Sequence, residues 1–261
     1  MTERPIRAFA RYVVMGDGLS ADLTPALDLK VAEVSVALER DARSGAVPPV
    51  GAGSLLFRND DERWPDFIGD DLATLSGCGE MIRLAADGAS LGDIYDEQVM
   101  LLEPGDLPTL ITLTAGSIDL LSAVATRPAP ARMDAIVRDA VTGVIALAES
   151  LHAKCPDLTL ILNTLPDPTD GIGVFPEARD GEATPPGALV QFNTLLRARA
   201  AAMPGTVVAA VHAAFLGHGL TAPEAERWFW RRNPHEPSAA GASGLRAVWL
   251  ETLRGADAQS G

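Results

Sequence analysis

Cysteine is nearly absent from this sequence: Cys78 and Cys155 are the only two among 261 residues, far apart and outside any zinc or redox spacing. A disulfide framework is thereby excluded, and two buried thiols are the plain expectation. Positive charge is scarce too, with 21 Lys and Arg against 35 Asp and Glu and a formal charge of −14. So acidic a chain repels phosphate backbones and anionic lipid, and no nucleic-acid partner is expected. Nowhere do about 18 apolar residues run uninterrupted. The first eleven residues hold Arg4, Arg7 and Arg11 but no apolar stretch or cleavage site of a secretory leader. These gaps imply no membrane span and a cytoplasmic location. Missing as well are a Gly-x-Gly-x-x-Gly run and a phosphate-loop lysine pattern. Gly51-Ala52-Gly53 does not open a helix after a strand, so no nucleotide is implied, nor any other cofactor. No internal repeat occurs.

What is present has a globular balance: 47% hydrophobic and 21% charged residues, with 24 Gly and 19 Pro spread along the chain. The length suits one domain over residues 1–261, ending in a loose tail from about 255. Short runs rich in Val, Ile, Leu and Thr lie at 12–15, 81–86, 110–114, 158–163 and 207–212, separated by helix-patterned segments. Such alternation predicts parallel strands with crossover helices on both faces. Leu27, Val31, Val34 and Leu38 recur at helical spacing behind Thr24 as N-cap and Pro25 at the first helical position. Ser90-Leu91-Gly92-Asp93 reads as a capping box opening a helix to about 102, and Thr221-Ala222-Pro223-Glu224 as the start of another. Further helices are expected over 133–154 and 242–254, and residues 45–79 read as a long ordered excursion. The sum is an α/β chain, a three-layer flavodoxin-like sandwich around a five-stranded parallel sheet. In such a fold the ligand crevice lies outside the carboxyl ends of the strands.

Four segments therefore matter most. Gly16-Asp17-Gly18-Leu19-Ser20 follows the first strand, Asp87-Gly88-Ala89-Ser90 the second, and Ala115-Gly116-Ser117-Ile118-Asp119 the third. Asn233-Pro234-His235-Glu236-Pro237-Ser238, with Gly241 just downstream, precedes the last helix. In this order the four blocks resemble the SGNH/GDSL hydrolases. That family places a nucleophilic Ser in Gly-Asp-Ser-Leu, a Gly and an Asn in the oxyanion hole, and a base in a C-terminal Asp-x-x-His. The reaction needs such a set because a serine hydroxyl is a poor nucleophile until a base takes its proton, and the oxyanion needs aimed donors. Arg58-Asn59-Asp60-Asp61, Asp167-Pro168-Thr169-Asp170-Gly171 and Phe215-Leu216-Gly217-His218-Gly219 extend the resemblance from about Tyr12 to Leu253.

The resemblance implies an SGNH-type fold, yet it departs at the reacting positions. Gly18 stands where the nucleophile belongs, beside Asp17. Gly88 matches the oxyanion-hole glycine, a turn glycine being the plainer reading. Gly116 and Asp119 match the third block, but Ile118 replaces the oxyanion Asn, and loss of one such donor costs about 10²–10³ in rate. Registered on Pro237, Glu236 takes the base position and Asn233 the orienting one, with His235 one residue out of phase. His235 reads as a base reached by a shifted loop or as an exposed imidazole. Ser20 reads as a cap or supporting hydroxyl, since two residues along a starting helix turn a side chain by roughly 200°. His212 and His218 either meet a ligand or pack at a strand end and in a turn. Asp60, Asp61 and Glu62, and Asp167 with Asp170, lack a ligand rhythm and read as solvated loop acids, so no metal is expected. Two functions remain: a ligand- or partner-binding descendant that has lost the serine-esterase machinery, or a weak hydrolase of small carboxylic or acetyl esters working by an altered mechanism. A small ester, acyl or sugar ligand fits either.

Overall fold

A computed structural model describes residues 6–31, 47–125, 128–173 and 186–257. Its centre is a parallel five-stranded sheet of order β2-β1-β3-β4-β5, formed by β1 (Arg11–Gly16), β2 (Glu80–Arg83), β3 (Thr109–Thr114), β4 (Leu158–Asn163) and β5 (Thr206–Ala209). β1 and β3 are buried throughout, as expected of strands covered on both faces. Their side chains alternate between two cores. Val13, Met15, Ile111, Leu113, Leu160 and Leu162 face one, packed under the long helices of that layer. Tyr12, Val14, Leu110 and Ile161 face the other, against Phe215, Leu245 and Trp249. Free Cys78 and Cys155 are both buried. Among the described residues no helix is long and apolar enough to cross a membrane.

The helices are α1 (Leu23–Asp28), α2 (Ala52–Phe57), α3 (Leu72–Leu75), α4 (Leu91–Asp93), α5 (Ser117–Ala125), α6 (Pro130–Lys154), α7 (Pro186–Ala200), α8 (Val211–Phe215) and α9 (Ala239–Asp257). A hairpin of β6 (Phe229–Trp230) and β7 (Asn233–Pro237) forms a second, antiparallel sheet.

Several boundaries differ from expectation. α1 begins at Leu23, with Asp22 rather than Thr24 at the N-cap. The Asp22 carboxylate is taken by the Gly51 amide at 2.7 Å and the Ser54 hydroxyl at 2.8 Å. Lys30 then adopts φ 58°, a left-handed conformation that stops the helix, while Val34 and Leu38 lie outside the described residues. The expected strand over 207–212 ends at Ala209, and His212 belongs to α8. After Pro223 only a single 3₁₀ turn forms, Glu224–Glu226. The described part of the excursion carries α2, α3 and a 3₁₀ turn at Pro65–Phe67. α9 continues to Asp257, so the tail expected from 255 is helical for three more residues, and 258–261 lie outside the described residues. The capping box at Ser90 is formed in both directions, but α4 passes at once into a π-helix, Ile94–Val99.

Candidate functional site

The order β2-β1-β3 puts the carboxyl ends of β1 and β3 side by side, and their turns converge there. Gly16 makes this approach feasible. It sits at φ 118°, and any Cβ on it would overlap the Thr114 carbonyl of β3. From the far side Gln98 fixes the same peptide, accepting from the Gly16 amide at 2.7 Å and donating to its carbonyl at 2.9 Å. Gln98 is buried and belongs to the π-helix, whose wider turn aims it at the strand end.

Beyond Gly16 the chain makes a tight turn, in which the Ser20 amide bonds the Asp17 carbonyl at 3.1 Å and the Ala21 amide the Gly18 carbonyl at 3.2 Å. Asp17 is 2% exposed. Its carboxylate accepts from the Leu19 amide at 3.2 Å and from the Ser117 hydroxyl. Burial raises its pKa above the usual carboxylate range, against the lowering effect of the Ser117 and Thr114 hydroxyls. Ser20 lies buried with its hydroxyl 2.9 Å from that of Thr114, so it joins the turn to β3.

Gly18 is not in the left-handed region, so nothing in its backbone forbids a side chain. What forbids one is Glu236. An ideal Cβ on Gly18 would overlap all three atoms of the Glu236 carboxyl group. The space beside Gly18 is thus filled by the β7 glutamate. Glu236 is 5% exposed, and its Oε2 has no hydrogen-bond partner among the described residues. Its pKa is pushed well above normal, first by burial, then by the charges of Asp87 and Asp17 and by a hydrogen bond with Asp87.

The other expected residues fall into two groups. Gly88 is exposed and turns the chain at φ 69° with open space where its Cβ would stand. Gly116 adopts φ 93° with Phe192 Cζ only 3.0 Å from where its Cβ would be, so glycine is required there for packing as well as for the turn. His235 precedes Glu236 on β7 and lines a small cleft of about 20 Å³ together with Leu19, Ser117, Leu121, Leu165 and Phe229. Of these, His235 shares its cleft with Leu19, the residue after Gly18, while Glu236 meets Gly18 itself.

The rest serve elsewhere. The Asp119 carboxylate accepts from the Leu91 amide at 3.0 Å, tying α5 to the start of α4. Ile118 is half-buried, and Asn233 turns its side-chain oxygen onto the His235 amide at 3.2 Å. His212 Nδ1 lies 3.0 Å from the Leu165 carbonyl. His218 stacks on Trp228 at 4.1 Å, with Nδ1 2.7 Å from the Glu226 carbonyl. The loop acids are engaged internally: Asp61 with Arg63, Asp167 with Thr169 and Gly171, Asp170 with Gly217, Gly219 and Thr221. A broader cleft of about 820 Å³ lies between α2, residues 58–63 and β2, and holds none of the residues around Gly18.

Sequence reasoning did not single out three side chains that build the site: Gln98, Ser117 and Asp87. Asp87 and Ser117 each adjoin or lie within a block already examined. Gln98 carries no local signal, because only the π-turn and the sheet bring it to Gly16.

Comparison with solved structures places this architecture. A phospholipase A1 from Streptomyces albidoflavus superposes with a TM-score of 0.60 at 20% identity, over 94% of this chain and 100% of that one. A GDSL-like lipase from Parabacteroides merdae gives 0.58 at 12% identity, over 95% and 97%. An acetylxylan esterase from Geobacillus stearothermophilus gives 0.56 at 12% identity, over 96% of each chain. No family model and no curated protein matches the chain in sequence. The chain has the SGNH/GDSL-hydrolase fold, one that lipases and esterases use.

Proposed function

We propose that this chain is a ligand-binding protein built on the SGNH/GDSL scaffold, in which the serine-ester reaction has been given up. One observation carries the reading: the carboxyl group of Glu236 occupies the volume into which a residue-18 hydroxymethyl would project. A serine nucleophile and this glutamate rotamer are mutually exclusive. The supporting donors point the same way, since Ile118 offers no amide to an oxyanion and Asn233 is turned onto its own strand.

A second reading has its own support. Burial pushes the pKa of Glu236 well above the usual carboxylate range, and a carboxyl group so raised is suited to the general-acid role in hydrolysis. In that case the protein is a weak esterase with an altered mechanism.

Assays on p-nitrophenyl acetate separate the two. For the binding protein, wild type and Gly18→Ser are both expected to leave the solution rate unchanged, because the new hydroxyl meets a carboxyl group rather than a free base. Gly18→Ser combined with Glu236→His is expected to regain slow turnover, held about 10²–10³ below a complete site by the missing oxyanion amide. Wild-type turnover that disappears in Glu236→Gln would establish the acid–base hydrolase instead.

A further inference from the structure

Volume decides where a ligand can sit. The space beside Gly18 is filled by the Glu236 carboxyl group, and the small apolar cleft at Leu19 has about 20 Å³, room for about one water molecule. The cleft between α2, residues 58–63 and β2 has about 820 Å³, within the range of roughly 300–1,000 Å³ typical of small-molecule sites.

The walls of this broad cleft are fixed without a ligand. α2 ends at Phe57, and Arg58 takes the chain into extended backbone at φ −149°. Buried Asn59 anchors the stretch that follows: its amide donates to the Asp71 carboxylate at 3.0 Å and its Nδ2 to the Trp64 carbonyl at 3.1 Å. Asp71 is buried as well, and caps α3 by accepting from the Thr74 amide at 2.8 Å. On the other side Gly79, Met81 and Arg83 are alternate positions leading into and along β2, so they share one face and line the cleft together. A site set in this way loses little freedom when it binds.

Val50, Leu55, Phe57 and Met81 give the cleft an apolar lining, and three arginines and three acids give it charge of both signs. One pair is closed on itself, since Arg63 donates to Asp61 from Nε at 2.8 Å and from Nη2 at 2.7 Å. Arg83 is held loosely, its Nε 4.0 Å from an Asp22 carboxylate that the Gly51 amide and Ser54 hydroxyl already engage. Among the described residues no hydrogen bond or ion pair engages the side chains of Arg58, Asp60 and Glu62, all three exposed. The cleft therefore presents two guanidinium groups and two carboxylates with bonding capacity to spare, next to apolar surface. A simple anion would be opposed by Asp60, Glu62 and the formal charge of −14 on the chain, and a simple cation by Arg58 and Arg83. A ligand carrying one charge of each sign is complementary to both pairs.

Resting on the binding reading above, we infer that the broad cleft receives an apolar zwitterion, of which a short apolar peptide with free termini is the simplest example. Its carboxylate is taken by Arg58 and Arg83, its ammonium by Asp60 and Glu62, and its apolar body lies on Leu55, Phe57 and Met81. Contacts at the exposed Arg58 and Glu62 contribute about two- to fivefold each in affinity, and the contact at half-buried Arg83 about tenfold.

The test is calorimetric titration of the full chain with trileucine, with N-acetyl-trileucine, which lacks the ammonium, and with trileucine amide, which lacks the carboxylate. Trileucine is expected to saturate one site per chain, and either cap to weaken it by about two- to tenfold. Arg58→Gln should weaken trileucine and the N-acetyl peptide but leave the amide unchanged. Glu62→Gln should weaken trileucine and the amide but leave the N-acetyl peptide unchanged. Both positions are exposed, so neither variant is expected to disturb folding. Absence of saturation by trileucine, or equal affinity for the three peptides, would overturn the proposal. So would affinities that neither variant alters, which would put the site outside this cleft. The p-nitrophenyl acetate assay judges the binding reading separately: turnover lost in Glu236→Gln would remove that reading, while the crossed pattern of the two variants would still establish the zwitterion site.

Discussion

Residues 18 and 236 share one volume, and this makes them a pair rather than two separate losses. Gly18 has backbone angles open to any residue, so its lack of a side chain answers to the glutamate opposite. Gly18→Ala is expected to lower stability by about 1–3 kcal/mol, because the buried carboxyl group must swing out of its place. Combined with Glu236→Ala the penalty should largely vanish, and urea melts of the four proteins in a double-mutant cycle measure that coupling. Additive losses would separate the two residues. The same glutamate has a pH signature. In the unfolded chain it ionises near about 4.3, in the folded chain well above that. Between the two values the folded state holds the extra proton, so this residue's contribution to stability falls as pH rises and levels off above the folded value. Asp17, also raised, acts in the same sense. Glu236→Gln has no such titration, so its stability relative to wild type should grow as pH rises from about 4 to 8. A constant difference across that range would contradict the buried, protonated state.

At the scale of elements, the crevice is held by amide side chains that grip strand-end peptides from neighbouring helices. Gln98 clamps both polar groups of Gly16, and Asn193 of α7 clamps Leu165 in the same two-handed way, at 2.7 Å to its amide and 3.0 Å to its carbonyl. Each clamp fixes a turn whose residues border Gly18 or the apolar cleft. Gln98→Leu keeps the bulk of the side chain but strands two buried peptide groups, and is expected to destabilise the protein by about 2–3 kcal/mol. Amide hydrogen exchange at Gly16 and Asp17 should accelerate with it, and unchanged protection there would show that the clamp is dispensable. Much of this layer was legible in the sequence. The alternation of apolar runs and helical patterns placed all five strands, because a parallel sheet covered on both faces needs continuous Val, Ile and Leu. Helix ends were read less well, since Asp22 was recruited by Gly51 and Ser54, residues distant in sequence.

For the molecule as a whole, the described part of the excursion between α2 and β2 is fastened to α9 by two arginines. Arg254 pairs with Asp70 at 2.6 Å. Arg246 is fully buried, with its guanidinium 3.8 Å from the centre of the Phe67 ring. Its Nη1 lacks an acceptor among the described residues. Burial brings its pKa down to about 10 against the pull of Asp70, Asp61 and Asp71. Arg246→Ala removes both the packing and the charge, and is expected to cost about 3 kcal/mol and to raise hydrogen exchange over residues 64–72. Arg246→Met fills the space without a buried charge and should fall within about 1 kcal/mol of wild type or above it. Equal melting temperatures for the two variants would refute packing as the source of the attachment.

The sequence alone determined the five parallel strands and the long helices near 133–154 and 242–254, because apolar periodicity is a local signal. It also located the departures at Gly18, Ile118, Asn233 and Glu236. Only the tertiary structure decided what those departures amount to. That a glutamate 218 positions away fills the space beside a glycine and that Gln98 pins the turn are contacts between distant segments. They arise when the strands align and the hairpin folds over their ends, and no spacing along the chain encodes them.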